Sequence, residues 1–466
     1  MTSLSIDSLR EYLTRKTLQF GELKRNRASR KELLEARLAE RGCTEEQKKA
    51  YRQELRSREL QYLRLMRQNI GVDSFEKIQM LGRGAFGSVW LVRERATQRL
   101  FAMKQLRKEE MIKRRQIEHC ITEKEIMASS MSDWIVRLHY SFQDEQYLYL
   151  VMEFAIGGDL MGLLIRVDTF PEPVAKFYMA QCCTSINEIH KMNSFYRDAK
   201  PDNFLIMENG HIKLSDFSLA KNFQTNRSNQ NTGTSTTDSL TATLSDATIG
   251  LERSTQMDHV SISHNRAYSA VGTLDYSAVE IVRKDKSGYN HKVDWWSLGA
   301  ILYECVFGYP PFASDTSKDS VKKIVNYKTY LRFPKDSEVS SECKDLISHL
   351  LCEPEERYDF DQIKAHPWFH DVDWNDLHSY TPPFLPTVSS PTDLKYFDFV
   401  QEQGTSAEHP VEAPATTKQY QWFSGGNHVK NYTYRNFPGT IDCRTETRTS
   451  LKDIFRDHDG DDGKKS

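Results

Sequence analysis

This chain has few cysteines, no long apolar run and almost no net charge. Its eight cysteines among 466 residues (Cys43, Cys120, Cys182, Cys183, Cys305, Cys343, Cys352 and Cys443) include no Cys-x-x-Cys pair. A disulfide framework or a zinc site is therefore not expected, and reduced thiols are. No apolar stretch approaches the roughly 18 residues of a bilayer span, and the N-terminus has no signal-peptide pattern, which favours a soluble intracellular chain. Charged residues make up 27% but the formal charge is only −2. No global pull toward nucleic acid follows from that balance.

What is present is an ordered set of polar residues. Tyr196-Arg197-Asp198-Ala199-Lys200-Pro201-Asp202-Asn203 is followed by Asp216-Phe217-Ser218. Phosphoryl transfer from ATP needs a carboxylate to orient the attacking hydroxyl, a cation for the moving phosphoryl group, and oxygen ligands for Mg²⁺. Asp198 and Lys200 suit the first two roles, and Asn203 and Asp216 the third. Upstream, Gly82-Arg83-Gly84-Ala85-Phe86-Gly87-Ser88-Val89 lies between strand-like runs Phe75–Leu81 and Ser88–Arg93. A glycine loop between strands suits a hairpin over phosphates, whereas a dinucleotide fingerprint opens a helix. A short strand, Phe101-Ala102-Met103-Lys104, then ends in a lysine placed for the α/β-phosphates, with Glu123 on a helix Gln116–Ser129 as its ion-pair partner.

Taken in order, these motifs resemble the eukaryotic protein kinase family, and within it the AGC group, over roughly residues 70–440. The series continues with Met152-Glu153-Phe154, Ala278-Val279-Glu280, Asp294-Trp295-Trp296-Ser297-Leu298-Gly299 and Arg357. Three further features look like the NDR/LATS kinases. They are Glu59-Leu60-Gln61-Tyr62-Leu63-Arg64-Leu65, a long insert between Asp216 and Ala278, and Asn431-Tyr432-Thr433-Tyr434-Arg435-Asn436-Phe437. Asn203-Phe204-Leu205-Ile206 with Ala278-Val279-Glu280 leans toward the fungal cell-division and septation branch.

The resemblance implies an α+β, two-lobed fold: a β-rich lobe over 74–155, a helical lobe over 156–369, an N-terminal region 1–73, and an AGC tail over 370–466 with a hydrophobic motif near 429–437. It implies a non-specific serine/threonine protein kinase using ATP and Mg²⁺ in cell division or morphogenesis signalling. Gly82, Gly84, Gly87, Val89, Lys104, Glu123, Met152, Glu153, Ala155 and Asp159 would bind nucleotide. Asp159 has a second possible role, toward a basic substrate residue. Glu280 would pair with Arg357, and Asp294 would brace the catalytic loop. Asp159, Asp202 and Glu304, as three carboxylates facing the cleft, would favour Arg or Lys before the phosphoacceptor. Ser269 and Thr433 stand where related kinases carry activating phosphates, set by an upstream kinase. The location implied is cytoplasmic, with the nucleus and cell-division structures as alternatives.

Residues 10–67 carry 17 Lys/Arg against 9 Asp/Glu, an excess of 8 positive charges. Leu33, Leu34, Leu38 and then Tyr51, Leu55, Leu60, Leu63 recur at helical intervals. Gly42-Cys43-Thr44 breaks the run, and Thr44-Glu45-Glu46-Gln47 reads as a capping box, so a basic helical hairpin is expected. It reads either as solvated surface or as a dock for an acidic partner, which the resemblance identifies as a MOB-type coactivator. Nucleic acid or acidic lipid is a weaker reading, because aromatic interleaving is sparse. In the insert 222–266, sixteen of 45 residues are Ser or Thr, so disorder is expected.

Four departures from the family pattern stand out: Tyr196 for histidine, Ser218 for glycine, Leu274 for proline and Val279 for proline. None removes Lys104, Asp198 or Asp216. The competing expectation is a catalytically impaired pseudokinase scaffold. The leading phenylalanine of the hydrophobic motif is Val429 here, which should weaken its docking.

Overall fold

The computed structural model describes residues 27–40, 42–67, 70–84, 86–114, 116–222, 273–285, 288–397, 429 and 432–435. Ser269 and nearly all of the insert lie outside the described residues. These residues form two compact units, one within Met1–Met131, Val136–Ile156 and Val388–Ser466, the other within Ser132–Ile135 and Gly157–Thr387.

The first unit begins with helix α1 (residues 27–40) and helix α2 (Glu45–Arg67). Gly42 takes a left-handed φ of 62°, which breaks the first helix. Thr44 caps the second: its hydroxyl accepts from the Gln47 N–H at 3.3 Å, and Gln47 Oε1 accepts from the Thr44 N–H at 2.9 Å. The helices pack through Leu34 and Leu38 against Tyr51 and Leu55, pairs spaced four apart that share a helix face. Glu59 receives Arg27 at 2.7 Å and the buried Arg30 at 3.3 Å, while Arg52 reaches Glu35 at 2.7 Å. Three of the hairpin's arginines are therefore held by its own glutamates.

Strands β1 (Phe75–Gly84), β2 (Gly87–Glu94), β3 (Leu100–Arg107), β4 (Leu138–Gln143) and β5 (Tyr147–Met152) follow, with α3 (Lys108–Lys113) and α4 (Ile117–Ser129) after β3. The strand order is β1-β2-β3-β5-β4, and a two-residue strand, Tyr434–Arg435, adds to the β4 edge. Strand alternation divides the sheet's faces. Phe75, Val92, Phe101, Met103, Phe142, Tyr149 and Val151 form the apolar core of one face. The register Val89↔Lys104 and Ala102↔Met152 places those four residues together on the other.

The second unit is mainly helical. It contains α5 (Leu160–Val167), α6 (Glu172–Lys191), the short strands β6 (Ser194–Phe195), β7 (Phe204–Ile206), β8 (Ile212–Leu214) and β9 (Lys221–Asn222), then α7 (Val279–Arg283), α8 (Lys292–Phe307), α9 (Ser317–Val325), α10 (Tyr327–Tyr330), α11 (Ser341–Leu350) and α12 (Phe360–Ala365). Helix α8 is buried from Val293 to Val306, on every face. A helix that is apolar all round belongs at the centre of its domain. It therefore provides the rigid element on which the polar loops are hung. A β-rich unit and a helical unit are the two halves that the α+β expectation required. Residues 388–397 group with the first unit, whereas 370–387 group with the second. No described helix is long and apolar enough to cross a membrane, and the seven described cysteines are free.

Candidate active site

In the helical unit, a single buried carboxylate organises the catalytic loop. Asp294, on α8 and wholly buried, accepts from the N–H of Tyr196 at 3.0 Å, the N–H of Arg197 at 2.7 Å and His190 Nε2 at 2.7 Å. A buried charge is tolerable when its lone pairs are filled in this way. The bonds also hold Arg197 at a left-handed φ of 70°, a conformation that costs a non-glycine residue about 1 kcal/mol or more. Arg197 then donates through Nε to the Leu219 carbonyl at 2.7 Å and through Nη1 to the Tyr289 hydroxyl at 3.1 Å. Tyr196, in place of the family's histidine, donates its hydroxyl to the Ser215 carbonyl at 2.5 Å. It thus ties the loop to the residue before Asp216.

Asp198 sits at the centre of the loop. Its Oδ1 accepts from the Thr273 N–H and hydroxyl, each at 3.2 Å, and its Oδ2 from Asn203 Nδ2 at 3.3 Å. Lys200 Nζ lies 3.1 Å from Oδ2 and also donates to Thr273 Oγ1 at 3.2 Å. Four of the residues expected to act together are thus joined by direct hydrogen bonds or through Ser215. The Asn203 carbonyl accepts from the Ser215 N–H at 2.9 Å and hydroxyl at 3.0 Å, and β7 pairs with β8, which sets Asp216 beside the loop. Thr273 carries no functional role in the sequence reading. The signal that could have found it is its place at the end of the Ala267–Thr273 stretch.

The donor set fits a hard divalent cation. Asn203 spends its Nδ2 on Asp198, which leaves the amide oxygen as the ligand atom. Asp216 contributes a carboxylate, its Oδ1 accepting from the Ser218 N–H at 3.3 Å. Ser218 has no left-handed φ, whereas Asp216 does, at 51°. Serine therefore fits the position normally held by glycine without backbone strain. Val279 is the first residue of α7 and is fully buried; packing replaces the φ restriction that proline provides at that position. Glu280 and Arg357 form a buried two-pronged pair at 2.6 and 2.9 Å.

In the β-rich unit, Lys104 Nζ lies 2.7 Å from Glu123 Oε1, with the glutamate buried on α4. The three loop glycines play different parts. A Cβ on Gly87 would lie 1.8 Å from the Gln105 carbonyl oxygen, so glycine is required there for β2 to approach β3. A Cβ on Gly82 or Gly84 would meet nothing. At those two positions, therefore, packing within the chain does not require glycine. Val89 and Met152 share a face with Lys104. Glu153 is committed to the chain: its N–H donates to the Arg137 carbonyl at 3.1 Å and its Oε1 accepts from the Arg137 N–H at 2.7 Å. A base edge would therefore meet hinge backbone around buried Ala155, not the Glu153 side chain.

The three carboxylates assigned to a basic peptide are not equivalent. Asp202 is exposed. Asp159 is the N-cap of α5, its Oδ1 accepting from the Gly162 N–H at 2.7 Å, a structural role that the sequence reading missed. Glu304 does not face solvent: it is only 6% exposed and accepts from the Tyr276 hydroxyl at 2.6 Å. Burial, with added repulsion from Asp202 and Asp275, pushes its carboxyl up to about 6 despite the Tyr276 bond. The expectation of three carboxylates facing the cleft is corrected to one exposed, one half-buried and capping, and one buried.

The C-terminal segment is docked on the β-rich unit. Gln143 grips Val429 on both sides, Oε1 accepting from its N–H and Nε2 donating to its carbonyl, each at 2.7 Å. Val429 is buried, and the clamp holds its backbone, so these bonds do not depend on which side chain stands there. Tyr432 is buried with its hydroxyl 3.4 Å from Cys120 Sγ on α4, and its carbonyl accepts from Ser141. Tyr434 reaches the Ala128 carbonyl at 3.4 Å. Thr433 points outward and is exposed. Phe397 also stacks on Phe154, ring centres 5.8 Å apart.

With this geometry in hand, similarity to known proteins can be read against it. The protein kinase domain model matches residues 75–239 and 254–369. Serine/threonine-protein kinase CBK1 of Pneumocystis carinii is 41% identical over 86% of this chain and 82% of its own length. CBK1 of Saccharomyces cerevisiae is 39% identical over 88% of this chain and 59% of its own length. The kinase ndrB of Dictyostelium discoideum is 40% identical over 92% of this chain and 81% of its own length. The chain belongs to the protein kinase family, among the serine/threonine kinases of the NDR/LATS group. ATP and a divalent metal come with that membership. The chain spans about three fifths of the Saccharomyces relative.

Proposed function

We propose that this chain transfers the γ-phosphate of Mg²⁺-ATP to Ser or Thr hydroxyls that follow basic residues. The observation that carries this reading is the joined set Asp198, Lys200, Thr273 and Asn203. Asp198 accepts a hydrogen bond from the substrate hydroxyl and orients it. Lys200, held by Thr273, faces the charge that grows on the moving phosphoryl group. Asn203 and Asp216 hold the cation, which when bound screens the phosphate charge. Lys104, steadied by Glu123, positions the nucleotide phosphates. Purified chain with Mg²⁺-ATP and a basic peptide tests this. Turnover should fall at least a hundredfold in Asp198→Ala and Lys104→Met, and wild-type turnover in either would make the chain a scaffold instead.

Control is assigned to three places: Ser269, Thr433, and the helical hairpin together with the residues before it. The hairpin is read as the dock of an acidic MOB-type coactivator. Association should weaken as salt rises through about 0.1 M, where screening acts within roughly 10 Å. An upstream kinase acts on Ser269 and Thr433. Comparing wild type, Ser269→Ala, Thr433→Ala and the double variant after treatment with an activating kinase tests the pair, and full activity in the double variant removes the switch. The setting is cell-division or morphogenesis signalling in the cytoplasm.

A further inference from the structure

The helical unit has a cleft of about 390 Å³ where the C-terminal end of α6 meets the starts of α8 and α12. None of its lining residues is among those assigned above to nucleotide, metal or peptide. A cleft of this size takes a small ligand or one side chain with its flanking atoms. Its polar groups are mostly acceptors. Asn187 on α6 and His291 before α8 have no hydrogen bond to their side chains among the described residues. Asp361 is exposed and has no cationic partner among them. Asp359 caps α12 through Oδ1, which accepts from the Gln362 N–H at 3.3 Å and leaves Oδ2 for another donor. The lining lysine, Lys191, is already paired with Glu188 at 2.7 Å.

Burial, and then the neighbouring His190, lowers His291 below the ordinary histidine value. At neutral pH its ring is uncharged and offers a lone pair. The cleft thus presents two carboxylates, an amide oxygen and an imidazole nitrogen as acceptors. Phe360 is half-buried and stacks on Trp295, ring centres 6.2 Å apart, so one wall is flat and apolar. An anion would be repelled by Asp359 and Asp361. An apolar ligand would strip water from the acceptors and put nothing in its place. An ammonium is a compact charge that holds its hydration shell tightly. A guanidinium is planar, weakly hydrated and donor-only, with five N–H groups, and it stacks on aromatic faces. It matches both the acceptors and the flat wall.

We propose that this cleft docks an arginine side chain presented by a partner polypeptide, with the guanidinium between Asp359 and Asp361 and against Phe360. An arginine within a chain is favoured over the free amino acid. A free carboxylate would enter beside two like charges, whereas Asn187, with a donor and an acceptor, matches a peptide group. The site does not depend on phosphoryl transfer, and its test does not use kinase activity. In the full chain, diethylpyrocarbonate labelling of His291 is followed by mass spectrometry as a ratio to His370, which lies outside the cleft with its side chain 78% exposed. N-acetyl-arginine methylamide should protect His291 saturably, with a dissociation constant near about 1 mM, ordinary for a ligand of its size. N-acetyl-citrulline methylamide, which has the same shape without the charge, should bind about tenfold more weakly, and so should free arginine. Asp361→Asn should weaken the arginine derivative about tenfold, the scale of one charge-assisted hydrogen bond. Asp361 is exposed, so the variant should fold, and unchanged His291 labelling without ligand checks this. Absence of protection, equal protection by the citrulline derivative or by free arginine, or wild-type affinity in Asp361→Asn would each overturn the proposal.

Discussion

Replacing Glu304 by glutamine should stabilise the chain above about pH 6. The carboxyl is buried on α8, held by the Tyr276 hydroxyl and crowded by Asp202 and Asp275, and stands at about 6 against a usual 4.5. At about 1.4 kcal/mol per pH unit, that gap corresponds to about 2 kcal/mol. Between about pH 4.5 and 6 the folded chain holds the proton more tightly than the unfolded chain does. Raising the pH through that window therefore removes stability, and none is lost to this group below it. Glutamine keeps an acceptor for Tyr276 and never ionises. Urea denaturation of wild type and Glu304→Gln should thus agree near pH 4 and separate to about 2 kcal/mol above pH 6.5. A stability difference that does not vary with pH, or a variant less stable at pH 7 than wild type, would refute the argument that burial and repulsion dominate at this carboxylate.

Arg357→Ala should cost about 3–5 kcal/mol in chemical denaturation, because it strands buried Glu280 and two carbonyls, those of Lys292 and Cys352; a loss below about 1 kcal/mol would mean the pair is dispensable. Thr273→Val should lower kcat about tenfold to a hundredfold with little change in KM for ATP, and Thr273→Ser should restore it, since the hydroxyl joins Asp198 to Lys200. Ser218→Gly should leave turnover within about threefold and cost about 0.5–1 kcal/mol of stability through the freer unfolded chain; a marked gain in activity would show that serine restrains the loop.

The legible parts of the fold were those written in adjacent residues. Thr44 to Gln47 spells its own capping box, and the glycine hairpin, Lys104, the 196–203 loop and Asp216 could be read in order from spacing and type. What spacing could not supply is side-chain partnership across distant positions. Gln143 and Val429 are 286 residues apart. Glu304 likewise looks exposed in sequence until Tyr276, 28 residues away, is seen to cover it. Asp159 was misweighted for a different reason. A single aspartate before Leu160 is both a plausible ligand and an ordinary helix cap, and only geometry distinguishes them. The charge excess of the N-terminal region is a net count, so the ion pairs of Glu35, Glu54 and Glu59 with Arg52, Arg58 and Arg30 fix where some of its arginines sit without reducing it.

The docked C-terminal segment changes what a phosphate on Thr433 can do. Val429 and Tyr432 are already buried and Tyr434 already reaches α4 while Thr433 faces outward. The apolar contacts that hold the segment need no charge. Burying one large side chain is worth about 1.5–3 kcal/mol, and a surface phosphate pairing with basic groups adds a comparable increment. A phosphate on Thr433 would then shift how often the segment is docked rather than supply the contacts that hold it. Because α4 carries both Cys120, under Tyr432, and Glu123, the partner of Lys104, a change in that occupancy would reach the nucleotide lysine through one helix. In the unphosphorylated chain, Thr433→Ala should therefore leave Cys120 as protected from N-ethylmaleimide as wild type, whereas Tyr432→Ala should expose it. Loss of protection in Thr433→Ala would place the hydroxyl itself in the docking contact and reverse this order of events.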